Sequence, residues 1–388
     1  MLQLGRQGQL YHAIESTFGT SPALAAGDAV RHMNFVPTFD PKNRVHSPEK
    51  KTSPGRFARF DRRETAGFTL EAMIRPSGTI NTLPECAEEL QAAFGTQTNV
   101  VLSTTVASGS GVSGATLASG AGLAVGGPVL ITCPDAKKRV RILASVAGAV
   151  VTWVPQLPAG QAPAVSAAVK SGIGYRLSTV LTTSIAYAHY LKKSDLSAGL
   201  SRLVTGAVID KCSLMFDANE EPRFTVSGPA KTLATAAAQP GGFTMVGGNP
   251  PSGLVGELAL GSGVPVTNYK LLKLAVELTN SMKLRNESYG FTSAEEALRI
   301  GRRDITCALD ARVEDQTSIY DLSIAGTNQS VFLQTGFTEG SILAVYAPSV
   351  EFKVPDADDP EEEVNWPFKG VALETAIDLN DELTFAIC

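Results

Sequence analysis

Histidine and tryptophan are scarce in this chain of 388 residues, with four of the first and two of the second. His12, His32, His46 and His189 never recur at i+4, and none has a cysteine at ligand spacing. A metal site needs three or four converging ligands, so none is expected. No G-x-x-x-x-G-K-[ST] phosphate loop occurs. The serine-rich GSGVSG lacks the G-x-S-x-G frame of a nucleophile elbow and reads as a turn. These gaps exclude the common catalytic classes; no enzyme activity and no cofactor are expected. The five cysteines, Cys86, Cys133, Cys212, Cys307 and Cys388, form no C-x-x-C pair and read as reduced thiols, with Cys86, Cys212 and Cys307 in the core. No run of about 18 apolar residues exists, and the opening MLQLGRQGQLYHAIE has no apolar signal region. The expectation is a protein made in a cytoplasm, with no membrane contact.

Charge is also sparse. Charged residues are 18% of the chain and aromatics 7%, against 44% hydrophobic residues. Apart from the charged and aromatic residues the chain is rich in Gly, Ala, Ser, Thr and Val, set in short alternating runs, which points to a mainly β architecture. The length allows two or three domains. A net charge of −5 gives no overall pull toward nucleic acid.

One segment reverses that sign. From Asp40 to Arg63 eight cations stand against three anions, a local charge of +5. Pro41, Pro48 and Pro54 forbid a helix there and disfavour a central strand, so the segment reads as an extended arm or loose hairpin. TAGFTLEAMIRPSG follows, with Phe68, Leu70, Ala72 and Ile74 on one face of a strand. TLPECAEELQAAFG then predicts a helix with Thr82 and Glu85 as a capping box, Gly95 as its stop, and Leu83, Ala87, Leu90 and Phe94 on its apolar face.

Residues 101–172 change character. Short Val/Thr/Ala runs broken by Gly and Pro predict a small β-barrel or sandwich of five or six strands, inserted into a parent domain. The parent resumes at YRLSTVLTTSIAYAHYL, where Ile185, Tyr187, His189 and Leu191 share a face and His189 reads as a satisfied sheet residue. AVIDKCSLMF continues it, and residues 229–264 read as a linker. In 265–388 the order strand, helix, strands recurs, which suggests a duplication. NEEPRFT from Asn219 and NESYGFT from Asn286 share Asn, Glu, Phe and Thr at equal spacing. KGVALETAIDL reads as a late strand.

A second charged segment, EFKVPDADDPEEEVNW, gathers Asp356, Asp358, Asp359, Glu361, Glu362 and Glu363 between two prolines. No D-x-D-x-D-G calcium loop is present. It reads either as a solvated hairpin tip or as a partner for the basic arm of another copy, through Lys50, Lys51, Arg56, Arg59, Arg62 and Arg63. Phosphate contact by the arm is a rival reading, with Phe57 and Phe60 interleaved among the arginines.

GRQGQLYHAIESTFGTSPAL, TAGFTLEAMIRPSG before a helix, and FKGVALETAIDLNDELTFAI resemble tail tube proteins (major tail proteins) of long-tailed, siphophage-type bacteriophages. The resemblance covers both ends of the chain and leaves out 101–172. It implies a fold of two packed sheets with flanking short helices, in copies that join edge to edge into rings and stack through the long arm. It also implies a structural virion protein whose acidic lumen passes genomic DNA without specific binding. The implied partners are further copies of itself, a tape measure protein, and tail terminator and tip proteins. Most such proteins carry one tube domain per chain and form hexamers. Here the expected domains are 1–100 with 173–228, the insert 101–172, and a second tube half at 265–388. Three chains of that kind would build one ring. The alternative reading is a tail-tip or capsid-surface protein for adsorption or carbohydrate binding.

Overall fold

The structure, a computed structural model, describes residues 3–40, 45–46, 59–60, 64–193, 198–261, 271–285, 289–290, 293–312, 317–354 and 365–388. The chain opens with β1 (Gln3–Ile14), β2 (Ala29–Val30), β3 (Asn34–Asp40), β4 (Val45–His46), β5 (Arg59–Phe60), β6 (Thr65–Met73) and helix α1 (Ala87–Phe94). It continues through β7 (Gly95–Asn99), β8 (Ser103–Ser108), β9 (Gly114–Leu117), β10 (Pro128–Thr132), β11 (Lys138–Ala147), β12 (Val150–Val154), β13 (Ala168–Ser171) and β14 (Ile173–Leu177). Next come β15 (Ile185–Lys193), β16 (Ala198–Ala207), β17 (Lys211–Asp217), β18 (Arg223–Ala230), β19 (Thr232–Ala234) and β20 (Gly256–Leu260). The last part holds β21 (Leu271–Thr279), β22 (Met282–Arg285), β23 (Glu296–Arg299), β24 (Asp304–Arg312), α2 (Thr317–Ile324), β25 (Gln329–Thr335), β26 (Leu343–Phe352), β27 (Asn365–Ala372) and β28 (Thr384–Ile387). The fold is mainly β, as expected.

One long sheet runs β3-β6-β18-β17-β21-β24-β27-β26 before continuing through β28 to β14 and β7. Its first eight strands fall into two sets with one connectivity. In the first, β3 returns as β6, α1 follows, and β17 returns as β18. In the second, β21 returns as β24, α2 follows, and β26 returns as β27. The sets join where β17 pairs β21. Each is backed by an outer layer of matching order: β19-β16-β15-β1 behind the first, and β28-β26-β25-β20 behind the second. Period-two alternation explains the packing. Phe68, Leu70 and Ala72 of β6, and Ile305, Cys307 and Leu309 of β24, all enter one continuous core.

Strands β8 to β13 close a six-stranded barrel with its own core around Trp153, Val129, Leu143 and Val169. Its outer face at Leu130, Val140 and Ile142 packs on Phe332, Ile342 and Ala386 of the parent sheets. All five cysteines are free and buried.

Several local expectations need correction. Glu85 does not cap α1; the helix begins after Cys86 without a side-chain cap. Glu85 instead accepts bonds from the backbone and guanidinium of Arg31, because an ion pair beats a cap bond for a carboxylate that is 4% exposed. Leu83 lies outside the helix and is 41% exposed, whereas Ala87, Leu90 and Phe94 are buried. Residues 3–14 form β1, whose glycines mask its alternation in the sequence. Residues 229–264 carry β19 and β20, and the irregular chain between them is tied down by Tyr11 Oη donating to Gly242 O and Arg31 Nη2 to Val246 O. The strand in KGVALETAIDL ends at Ala372, because Glu374 binds the backbone N–H groups of Asp378 and Asn380 in a loop with positive φ at both. Asn219 turns β17 into β18, while the matching residues Asn286, Glu287, Phe291 and Thr292 lie outside the described residues.

Gly95 ends α1 as expected. It has φ +94°, and its N–H bonds Gln91 O. A Cβ there would lie 2.6 Å from Ser178 Cβ and 2.7 Å from Leu181 Cδ2. Gly95→Ala should therefore lose about 2–4 kcal/mol, from the left-handed backbone and overpacking together. The check is a lower urea midpoint at unchanged slope.

Candidate assembly surfaces

The register of the long sheet fixes where the two charged segments begin. Asp40 of β3 faces Thr65 of β6, so the arm leaves the sheet at that end. Stepping across, the same end carries Ala230, Lys211, Thr279, Asp304 and Ala372. The opposite end carries Arg223, Asp217, Lys273, Arg312 and Asn365. The acidic segment enters β27 at Asn365. The basic arm and the acidic segment therefore belong to opposite ends of the strands.

Of the residues singled out by sequence, Lys50, Lys51, Arg56, Arg62 and Arg63 lie outside the described residues. So do Asp356, Asp358, Asp359, Glu361, Glu362 and Glu363. Arg59 is placed by its backbone, opposite His46 in the β4–β5 pair within the arm.

At the arm end, Arg303 is 7% exposed and binds Glu382 at 2.5 Å and Asn380 at 3.2 Å. Arg299 donates to Ser178 O and Thr179 O. These bonds gather three loops and leave Val180, Ile300 and Ile377 at 65%, 66% and 88% exposure. Such apolar exposure beside a fixed scaffold suits a protein contact. Sequence reading missed it because the clamp joins residues more than seventy apart.

The barrel is fixed to the parent sheets by ions that sequence reading also missed. Arg141 Nη2 donates to Glu257 Oε1 at 2.5 Å, and Arg139 Nε to Glu257 Oε2 at 2.9 Å. Asp135 takes the other fork of Arg139 at 2.8 Å. Gln334 bonds the Val140 N–H and the Lys138 carbonyl, and Arg141 stacks 5.0 Å from the Phe332 ring centre. Lys138 and Lys170 share Glu339 beside an open cleft of about 490 Å³. The signal was present in RVRIL: a strand with arginine on alternate positions of an otherwise apolar run buries a charge.

His12 Nδ1 lies 2.6 Å from Glu89 Oε1, and Nε2 lies 3.4 Å from Glu88 Oε2. Among the described residues these three form the group whose ligand atoms are close enough to hold a metal. Each ring nitrogen faces a different carboxylate, however, which suits a proton on both nitrogens better than a shared ion. Burial opposes that charge, but Glu89 first, with Glu88 and Asp28, outweighs it and raises the His12 pKa to about 9. His189 is not the satisfied residue expected. It is 6% exposed, neither ring nitrogen has a hydrogen-bond partner among the described residues, and it packs edge-on to His32 and Phe35. Burial, then His32 and Arg202, push its pKa down to about 4.

A group held neutral in this way leaves stability intact above its ordinary pKa of 6.5 and removes it as pH falls through 4. The loss should approach about 3 kcal/mol. His189→Phe should shrink the drop in melting temperature between pH 7 and pH 4; an unchanged drop would refute this account.

No curated protein matches the chain. A family model described as phage tail tube protein matches residues 5–370. The match spans the two strand sets, the barrel, the first outer layer and the second outer layer apart from β28, and with it the chain belongs to the phage tail tube protein family.

Proposed function

We propose that copies of this chain close into rings, and that the rings stack into a tube through which genomic DNA leaves the virion. The observation that carries this reading is the recurrence of one strand set within a single tail tube chain, with the two sets joined edge to edge at β17 and β21. Two sets per chain make three chains the natural count for a pseudo-sixfold ring. Eight inner strands per chain give about 24 per ring. At roughly 4.8 Å per strand and a tilt near 36°, the backbone barrel is about 45 Å across. Barrels of 16–18 strands already enclose an aqueous channel.

Stacking follows from the two charged segments. They root at opposite ends of the strands, so the arm of one copy meets the acidic segment of the next in a head-to-tail contact. Lys50, Lys51, Arg56, Arg59, Arg62 and Arg63 would face Asp356, Asp358, Asp359, Glu361, Glu362 and Glu363. Such a contact repeats without limit and is screened by salt. The barrel decorates the outside, and a tape measure protein and terminator and tip proteins set length and ends. The chain itself supplies no chemistry to the DNA.

Negative-stain microscopy of the concentrated protein tests the reading. Hollow rings or tubes with three barrel-sized bumps per turn are expected; six bumps would remove the trimeric version, and compact monomers at every concentration would oppose the tube. Reversing the charge of Lys50, Lys51, Arg56 and Arg59 together should leave rings that do not stack. Normal tubes from that variant would refute the arm contact.

A further inference from the structure

Strand β3 pairs β6 along one side, and its other side is open among the described residues. Met33 and Val36 are exposed there. An open edge is a template for another strand. We propose that this edge receives the end of β26 from a second copy, with Lys353 opposite Asp40 and Val354 opposite Phe39. The inference rests on the ring reading above and adds its register.

The chain carries its own template for the junction. Leu70 lies between Phe35 and Val226, and Leu309 lies between Leu274 and Phe368. The strands β3 and β6 thus map onto β21 and β24 by one shift of 239 residues, Phe35 to Leu274 and Leu70 to Leu309. Strands β17 and β18 map onto β26 and β27 by a shift of 142, Val226 to Phe368 and Gly228 to Gly370. The correspondence extends to packing. A Cβ on Gly228 would strike Val208 O at 2.0 Å, and one on Gly370 would strike Val350 Cγ1 at 2.6 Å, Val350 being the counterpart of Val208. In the template, Lys211 faces Thr279 and Cys212 faces Leu278. Moved by the two shifts, these pairs become Lys353 with Asp40 and Val354 with Phe39.

The stagger of the sheet agrees with closure. Partners followed from Phe35 run through Leu70, Val226 and Cys212 to Leu278. Leu278 lies four residues past Leu274, the counterpart of Phe35. Four residues across four strands is a shear of one per strand. An eight-stranded barrel of shear eight has that ratio, and its strands tilt about 36°. A ring that repeats this ladder closes without a change of register.

The pairing has a defined limit. Val354 is 45% exposed in the single chain and would be covered, as Cys212 is covered at 2%. Asp356 and Asp358 correspond to Leu214 and Phe216, which are core residues. A carboxylate at either place would be buried without a partner. Pro355 also removes a backbone donor. The ladder therefore stops at Val354, and the acidic residues beyond it remain available for stacking.

The test is a pair of cysteines, Asp40→Cys with Lys353→Cys, oxidised under assembly conditions. Seven strand steps separate these positions within one chain, roughly 34 Å, so a disulfide between them joins two copies. The native cysteines are buried and do not compete. Lys211→Cys with Thr279→Cys is the positive control and should close within a chain. A non-reducing gel should show a ladder ending at three chains, absent from each single variant and removed by reductant. Rings or tubes in the microscope without that ladder would overturn the register while leaving the tube intact. A ladder without rings would support the pairing and oppose the tube. Neither ladder nor rings, with the control closed, would overturn both.

Discussion

Glu257→Ala is expected to cost about 3–5 kcal/mol, the range for removing one partner of a buried ion pair. Glu257 is 6% exposed, and it alone among the described residues provides carboxylate oxygens to both Arg139 and Arg141. Arg139 retains Asp135 after the change. Arg141, fully buried, keeps its bonds to the carbonyls of Val140 and Gln156 and its place over Phe332, but no countercharge. The loss should fall on the seam between barrel and parent sheets. Proteolysis should then cut the crossings near residues 100–102 and 172 faster, with the barrel fragment itself surviving. Replacing Glu257 and Arg141 together by leucine and methionine should recover most of the loss, because a buried pair is often matched by apolar residues of similar volume. A cost under about 1 kcal/mol for Glu257→Ala would mean that apolar contacts alone hold the barrel.

Glu89→Gln is expected to flatten the alkaline limb of the stability curve. In the native protein His12 is charged in the fold with a pKa of about 9, above its ordinary 6.5. A raised group of this kind contributes fully below 6.5, and the contribution is lost as pH climbs through 9. The loss should reach about 3 kcal/mol by pH 10. With glutamine at 89 the first cause of the raised pKa is gone, and stability between pH 6.5 and 9 should change little. The variant should also be less stable at pH 6 by about 3 kcal/mol, since the imidazolium keeps only the longer contact to Glu88. Chemical denaturation across pH 5–10 reads both effects. His189 acts from the acid side, so the native optimum should lie near pH 6.5. An alkaline limb equally steep in the variant would assign it to another group.

The inward faces of the strands were legible in the sequence because alternation is local. Phe68, Leu70, Ala72 and Ile74 announced β6, and the change of texture at 101–172 announced a separate barrel-like stretch. The recurring strand order was legible too, but not its boundaries. The residues that the ladders align, such as Gly228 with Gly370 and Ala230 with Ala372, are too few to stand out in the sequence. The ion pairs were hidden for a related reason. Arg141 and Glu257 are 116 residues apart, and nothing local to either names the other. Strand β1 was hidden by Gly5 and Gly8, which interrupt its pattern without preventing its pairing with β15. His189 was misjudged because sequence gives the face of a side chain, but not whether a donor waits on it.

The placement of the two charged segments has a consequence for how growth begins and ends. A stack of such rings is directional. On the stacking proposed above, one mouth would display unmatched basic arms and the other unmatched carboxylates. On that reading the protein that starts the column and the protein that stops it would carry opposite charge, and neither would substitute for the other.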